Sequence, residues 1–151
     1  PSAEQLYAQT HKLHSVQPTE VEDKKLKLIR KAAEIFLEND NYGVMPKNIS
    51  SVNEYVFNAA DSNCPPIHAK IENGEYKGLF IDRKVLKEKD FLSIVQEAIC
   101  QMLHVAGNDK SANYSYELTD LLSSQVDQFI SNPTVSKRLK VLEQMYKELG
   151  E

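Results

Sequence analysis

The chain is poor in the features that most readily announce a function. Two cysteines in 151 residues, Cys64 before Pro65-Pro66 and Cys100 in an apolar stretch, leave no disulfide framework of the secreted kind and point to a reducing, cytoplasmic setting. No long uncharged apolar run occurs and mean hydropathy is −0.47, which argues against a membrane span. Glycine-rich phosphate loops, serine-nucleophile elbows, calcium loops, internal repeats, low-complexity tracts and a heptad seam long enough for a coiled coil are all missing. Net positive charge is missing too. A balance of −4 and a pI near 5.6 argue against a general nucleic-acid binder, which needs clustered cations to displace counterions. The one basic cluster, Lys24, Lys25, Lys27, Arg30 and Lys31, alternates with Leu26, Leu28 and Ile29 at helical spacing and reads as a solvated helix face.

What remains is ordinary globular composition, 41% hydrophobic and 26% charged, at a length that suits one domain. Residues 1–18 read as an N-terminal extension and 19–151 as the domain. The opening on Pro1 without an initiator Met suits a domain excised from a longer chain, with a neighbouring domain as one candidate partner. A strong helix is expected from about Glu20 to Asn39. The stretch from Gly43 to Lys89 turns to extended texture, with Cys64-Pro65-Pro66 as a turn and Asn73-Gly74 as a hairpin signal between IHAKIE and YKGLFID. Further helices are expected over 91–106, 116–130 and from 135 onward, the last capped by Thr134. Together these predict an α+β fold, a small antiparallel sheet packed by four or five helices.

The most informative segment is FLSIVQEAICQMLHVAG, residues 91–107. At about 100° per residue, Phe91, Ile94, Val95, Ala98, Ile99, Met102, Val105 and Ala106 share an apolar arc, opposite Ser93, Gln96, Glu97, Cys100, Gln101 and His104. Asp90 caps its start, and Gly107-Asn108 stops it. The pattern suits an ordinary core helix with a polar face. It also resembles the active-site helix of zincins, in which His-Glu-x-x-His places two imidazoles on one zinc and a Glu beside the metal-bound water.

Here those five places hold Gln96, Glu97, Ala98, Ile99 and Cys100. The extended GLFIDRKVL before the helix and Glu117 in YELTDLL after it, where Glu-ligand metallopeptidases place a third ligand, add to the likeness. Residues 44–131 therefore resemble degenerate zincin-like domains, including those beside ATPases of the heat-shock and histidine-kinase superfamily. The resemblance implies a non-catalytic interaction or regulatory module, a pseudo-metallopeptidase with no cofactor, whose binding surface comprises Gln96, Glu97, Cys100, His104 and Glu117 and whose partner is a protein or peptide, not nucleic acid or membrane.

Two other classes stay open. A metal-dependent hydrolase would use Glu97 as base and Cys100, His104 and Glu117, with His68 as a further candidate, as zinc ligands. A structural or oligomerisation domain would use the last two helices and would show exposed apolar positions on the final one. A Cys100–His104 nucleophile pair lacks any visible oxyanion hole, and His11 with His14 forms only an incidental terminal pair.

Overall fold

The structure is a computed structural model that describes residues 15–39, 45–61, 63–106 and 126–150, with the backbone alone for Asp61 and residues 104–106. A two-residue strand β1 (Ser15–Val16) precedes helix α1 (Glu20–Glu38). Then come a 3-10 turn at Ile49–Ser51, strand β2 (Glu54–Phe57), a second 3-10 turn at Ala59–Asp61, and strands β3 (Ile67–Glu72) and β4 (Glu75–Asp82). Helices α2 (Arg83–Glu88) and α3 (Phe91–Ala106) follow, then helical residues 126–131 and helix α4 (Pro133–Leu149). The class is α+β.

Among the described residues the sheet has four strands in the order β1-β2-β4-β3. It is mixed where a wholly antiparallel sheet was expected. Asn73 and Gly74 at φ 55° and 77° make the mirror-image turn that joins β3 and β4 antiparallel. That hairpin leaves β4 running the same way as β2, and because β4 lies between β2 and β3, the β2–β4 pair is parallel. Ser15 and Val16 pair antiparallel with Phe57 and Val56, so residues that read as extension contribute an edge. A bulge opposite Lys70 breaks the alternation of β4. Gly78 sits there at φ 141°, where an added Cβ would lie 2.5 Å from the Asn53 carbonyl oxygen. Below the bulge Tyr76 turns to the same face as Leu79 and Ile81, and joins the core with them.

That face, with Val56, Ile67 and Ala69, packs on α1 and α3, and α4 packs in turn on those two helices. The opposite face carries an aromatic cluster of Tyr55, Phe57, His68 and Phe80. On α3 the expected arc is observed: Phe91, Ile94, Val95, Ala98, Ile99 and Met102 are buried, while Ser93 and Gln96 are exposed. Asp90 caps it, accepting from the Ser93 amide at 3.2 Å and the Ser93 hydroxyl at 2.7 Å.

Several boundaries differ from expectation for local reasons. GLFIDRKVL is not extended throughout, because the Asp82 carboxylate accepts from the Lys84 amide and starts α2. In the stretch from Met45 to Phe57 only Glu54–Phe57 forms a strand, and a 3-10 turn occupies Ile49–Ser51. Helix α4 is capped by Asn132, which accepts from Thr134 and Val135, with Pro133 in the first turn, and not by Thr134. Residues 116–125 of the expected helix and the Gly107-Asn108 stop lie outside the described residues.

The basic cluster is only partly a solvated face. Lys25 is 4% exposed, and its Nζ donates to the Leu86 carbonyl at 2.9 Å and lies 4.9 Å from the Tyr146 ring centroid. Tyr146 Oη donates to the same carbonyl at 2.8 Å. One turn earlier on both helices, Arg83 forks onto Glu22 at 2.7 and 3.0 Å. Glu22 also closes a capping box with Thr19. Burial alone would raise the Glu22 carboxyl, but the bonds from Arg83 and Thr19 outweigh it and hold the group below its ordinary range.

Replacing Lys25 separates its charge from its stem. Lys25→Met keeps the buried methylenes and leaves the Leu86 carbonyl bonded to Tyr146, and is expected to cost under about 1.5 kcal/mol in urea denaturation. Lys25→Ala removes the stem as well and is expected to cost about 2–4 kcal/mol. Equal losses for the two variants would show that the charge, not the packing, carries the site.

Candidate functional site

Helix α3 brings Gln96, Glu97 and Cys100 along one side, at the margin where its apolar arc meets solvent. Gln96 is exposed, and Glu97 and Cys100 are half-buried. His104 belongs to the same helix, but its side chain lies outside the described ones, as does the whole of Glu117. The nearest cation to Glu97 among its ion pairs is Lys89, whose Nζ is 3.9 Å from the carboxylate; both side chains are substantially exposed.

Burial pushes the Cys100 thiol above its ordinary range, and the charges of Glu97 and Asp127 push it the same way. The thiolate needed for metal binding or nucleophilic attack is therefore disfavoured. Gln96 offers an amide, a very poor zinc ligand. Among the described residues no three His, Cys, Asp or Glu side chains are grouped so as to hold a metal. Of the candidate ligands whose side chains are described, the Gln96 amide and the Cys100 thiol, held toward its protonated form, are poor partners for a catalytic zinc.

His68 is placed away from this helix. Its strand neighbours Ile67 and Ala69 face the core with α3, so by alternation His68 faces the other side of the sheet. There it stacks on Phe80 at 5.4 Å, edges onto Phe57, and holds the Pro65 carbonyl at 2.8 Å through Nδ1. Burial lowers its pKa, and the bond to Pro65 opposes this. His68 cannot complete a ligand set with Cys100.

Strand β3, which packs beside α3, ends the sheet among the described residues. Its first half is closed: Ile67, His68 and Ala69 are buried whole. Lys70, Ile71 and Glu72 reach solvent.

A second polar cluster was not legible in the sequence. Between α1 and the sheet, Arg30 Nε donates to Glu54 Oε2 at 2.9 Å, with the Glu54 side chain only 4% exposed. Arg30 also donates to the Val52 carbonyl. Burial raises the Glu54 carboxyl, Arg30 opposes this, and Glu34 adds a smaller push upward. The Tyr76 hydroxyl is buried nearby with no hydrogen-bond partner among the described residues, and burial and the Glu54 charge raise its pKa. Arg30 belonged to the run read as a solvated face, and only the pairing of β2 with β4 brings Glu54 and Tyr76 to it.

No protein-family model, no curated protein and no solved structure matches this chain. The site is thus read from its own chemistry.

Two outcomes follow. The half-exposed Glu97–Lys89 pair contributes little, so Glu97→Ala is expected to change unfolding free energy by about 0.5 kcal/mol or less. A loss of several kcal/mol would make Glu97 a structural group. The raised Glu54 carboxyl has the opposite sign from Glu22. Its contribution is complete below the carboxyl range of the unfolded chain and is lost as pH rises through the higher folded value. Wild type should therefore lose stability relative to Glu54→Gln as urea denaturation is repeated from acidic pH toward neutrality. A difference that stays flat with pH would show that folding does not perturb Glu54.

Proposed function

We propose that this chain is a cytoplasmic, non-catalytic interaction module, a pseudo-metallopeptidase on a zincin-like scaffold, acting on a protein or peptide partner. The observation that carries this reading is the placement of α3. The helix follows directly on the β3–β4 hairpin and α2, packs beside the antiparallel end strand β3, and keeps Gln96, Glu97 and Cys100 at its solvent margin. A zincin holds its catalytic helix beside a strand edge on which substrate lies extended. This arrangement supports the reading, with Gln96 and Cys100 standing where the resemblance implies two imidazoles. Retention of a polar margin on an otherwise apolar helix favours recognition over packing.

The open part of the edge, Lys70 to Glu72, is where an extended peptide would add as a strand. The buried stretch Ile67 to Ala69 leaves no room for one without a rearrangement. No helix among the described residues is long and apolar enough to cross a membrane.

The test restores the lost chemistry. Wild-type protein is expected to carry no stoichiometric zinc and to cleave no peptide. Gln96→His with Cys100→His rebuilds His-Glu-x-x-His on α3 and should bind zinc in isothermal titration. On a zincin-like scaffold, adding Glu117→Ala should weaken that binding by at least about tenfold, since even outer partners of a zinc site contribute on that scale. Zinc binding indifferent to Glu117 would mean that a bare helix holds the metal, and the zincin-like reading would fall. Near-equimolar zinc in wild type, lost on Cys100→Ala, would overturn the non-catalytic reading.

A further inference from the structure

Helix α4 packs through Val135, Leu139, Leu142 and Tyr146, and its outer side carries Val141 and Met145, 59% and 45% exposed. These are the large apolar side chains most open to solvent among the described residues, and they lie one turn apart. Single exposed apolar residues are ordinary on a protein surface. Here, however, they belong to a series: Thr134, Arg138, Val141, Met145 and Glu148 recur at intervals of four, three, four and three, the spacing of a helix–helix seam. All five are exposed.

The seam is charged at its ends with opposite signs, basic at Arg138 and acidic at Glu148. A two-fold axis midway between Val141 and Met145 sets Val141 of one copy against Met145 of another in antiparallel pairing. The same axis sets Arg138 against Glu148 on both sides. A parallel pairing would instead set Arg138 against Arg138 and Glu148 against Glu148. Self-complementarity of this kind is what an isologous interface requires.

From this pattern the geometry points to a second copy of the chain as the occupant of the outer face of α4, docked antiparallel through Arg138, Val141, Met145 and Glu148. The seam is too short for a free coiled coil. It does not have to form its own helix, because α4 is already held by α1 and α3. Beside it lies a groove of about 450 Å³ between α1 and α4, in which Ile35, Val141 and Leu142 are flanked by the charged side chains of Lys31, Glu34, Glu38 and Arg138. Arg138 now donates to Glu38 at 2.9 Å and Gln144 to Glu148 at 3.2 Å. Both bonds are exposed and can be exchanged or extended across the axis. Three helical turns form a small interface, so the dimer is a weak one, with a dissociation constant between about 1 µM and 1 mM.

Sedimentation equilibrium of the full chain over that concentration range tests this. Wild type should show a monomer–dimer equilibrium. Val141→Lys and Arg138→Glu should each weaken it at least about tenfold, with thermal melting checked to show that the monomer stays folded. Arg138→Glu combined with Glu148→Arg should restore association to within about threefold of wild type, because the swapped charges meet again across the axis. A wild-type chain that is monomeric to about 1 mM overturns the proposal. So does a dimer that Val141→Lys leaves unchanged, or one that the charge reversal fails to restore. None of these readouts depends on zinc or on α3, so failure here leaves the reading of that helix untouched.

Discussion

Two side chains donate to one carbonyl at the centre of this molecule, and the placement of the helices depends on it. Helix α2 is six residues long, so its last carbonyls have no partners within the helix. The Leu86 carbonyl takes Lys25 Nζ from α1 and Tyr146 Oη from α4, while the Tyr146 ring lies 5.2 Å from Phe91 at the start of α3. Three helices thus meet at one acceptor, and the fourth packs against the tyrosine that donates to it. Arg83 and Glu22 repeat the α1–α2 link one turn away, which sets the angle at which the chain leaves β4 and enters α3. The ammonium is tolerated in the interior because a carbonyl and an aromatic face replace part of its hydration. Its stem meanwhile packs as any aliphatic chain would.

The sheet has its own constraint at Gly78. The bulge there turns Tyr76 inward, and the close approach of Asn53 and Tyr55 to Gly78 brings β2 tight against β4. That approach carries Glu54 under α1, where Arg30 meets it. The buried ion pair and the buried Tyr76 hydroxyl are consequences of strand register more than of local sequence. Because Arg30 and Lys25 lie on the same helix, α1 is tied by cations both to the sheet and to the short helix after it.

Much of this was legible before the structure. The limits of α1, the hairpin at Asn73-Gly74, the arc of α3 and its Asp90 cap rest on periodicity and on cap or turn residues, which act over a few positions. What was not legible depends on partners far along the chain. At about 100° per residue Lys25 falls on the buried arc with Ile29, Ala32 and Phe36, unlike Lys24 and Lys27, but that a cation is held there depends on the carbonyl of Leu86, 61 positions on. The parallel β2–β4 pair was hidden for the same reason, since it follows from where β4 inserts and not from the pattern of either strand. His68 was offered as a ligand on residue type alone, and strand alternation sends it to the other face. For the candidate site, the helix and the side on which Gln96, Glu97 and Cys100 lie could be read from spacing. The acidic surroundings of Cys100, including Asp127, required the fold.

Those surroundings bear on how a metal-binding helix would lose its metal. A zinc site lowers the pKa of a ligating thiol and draws carboxylates toward the cation. Around Cys100 the same elements work in reverse. Glu97 and Asp127 add negative charge to a half-buried thiol and favour its protonated form, and Glu97 pairs with Lys89 at the rim. A carboxylate balanced by a surface lysine is inexpensive to keep and open to exchange for a partner's cation. The polar margin of α3 thus offers exchangeable charge on Glu97 and Lys89 beside a thiol kept toward its unreactive, protonated form.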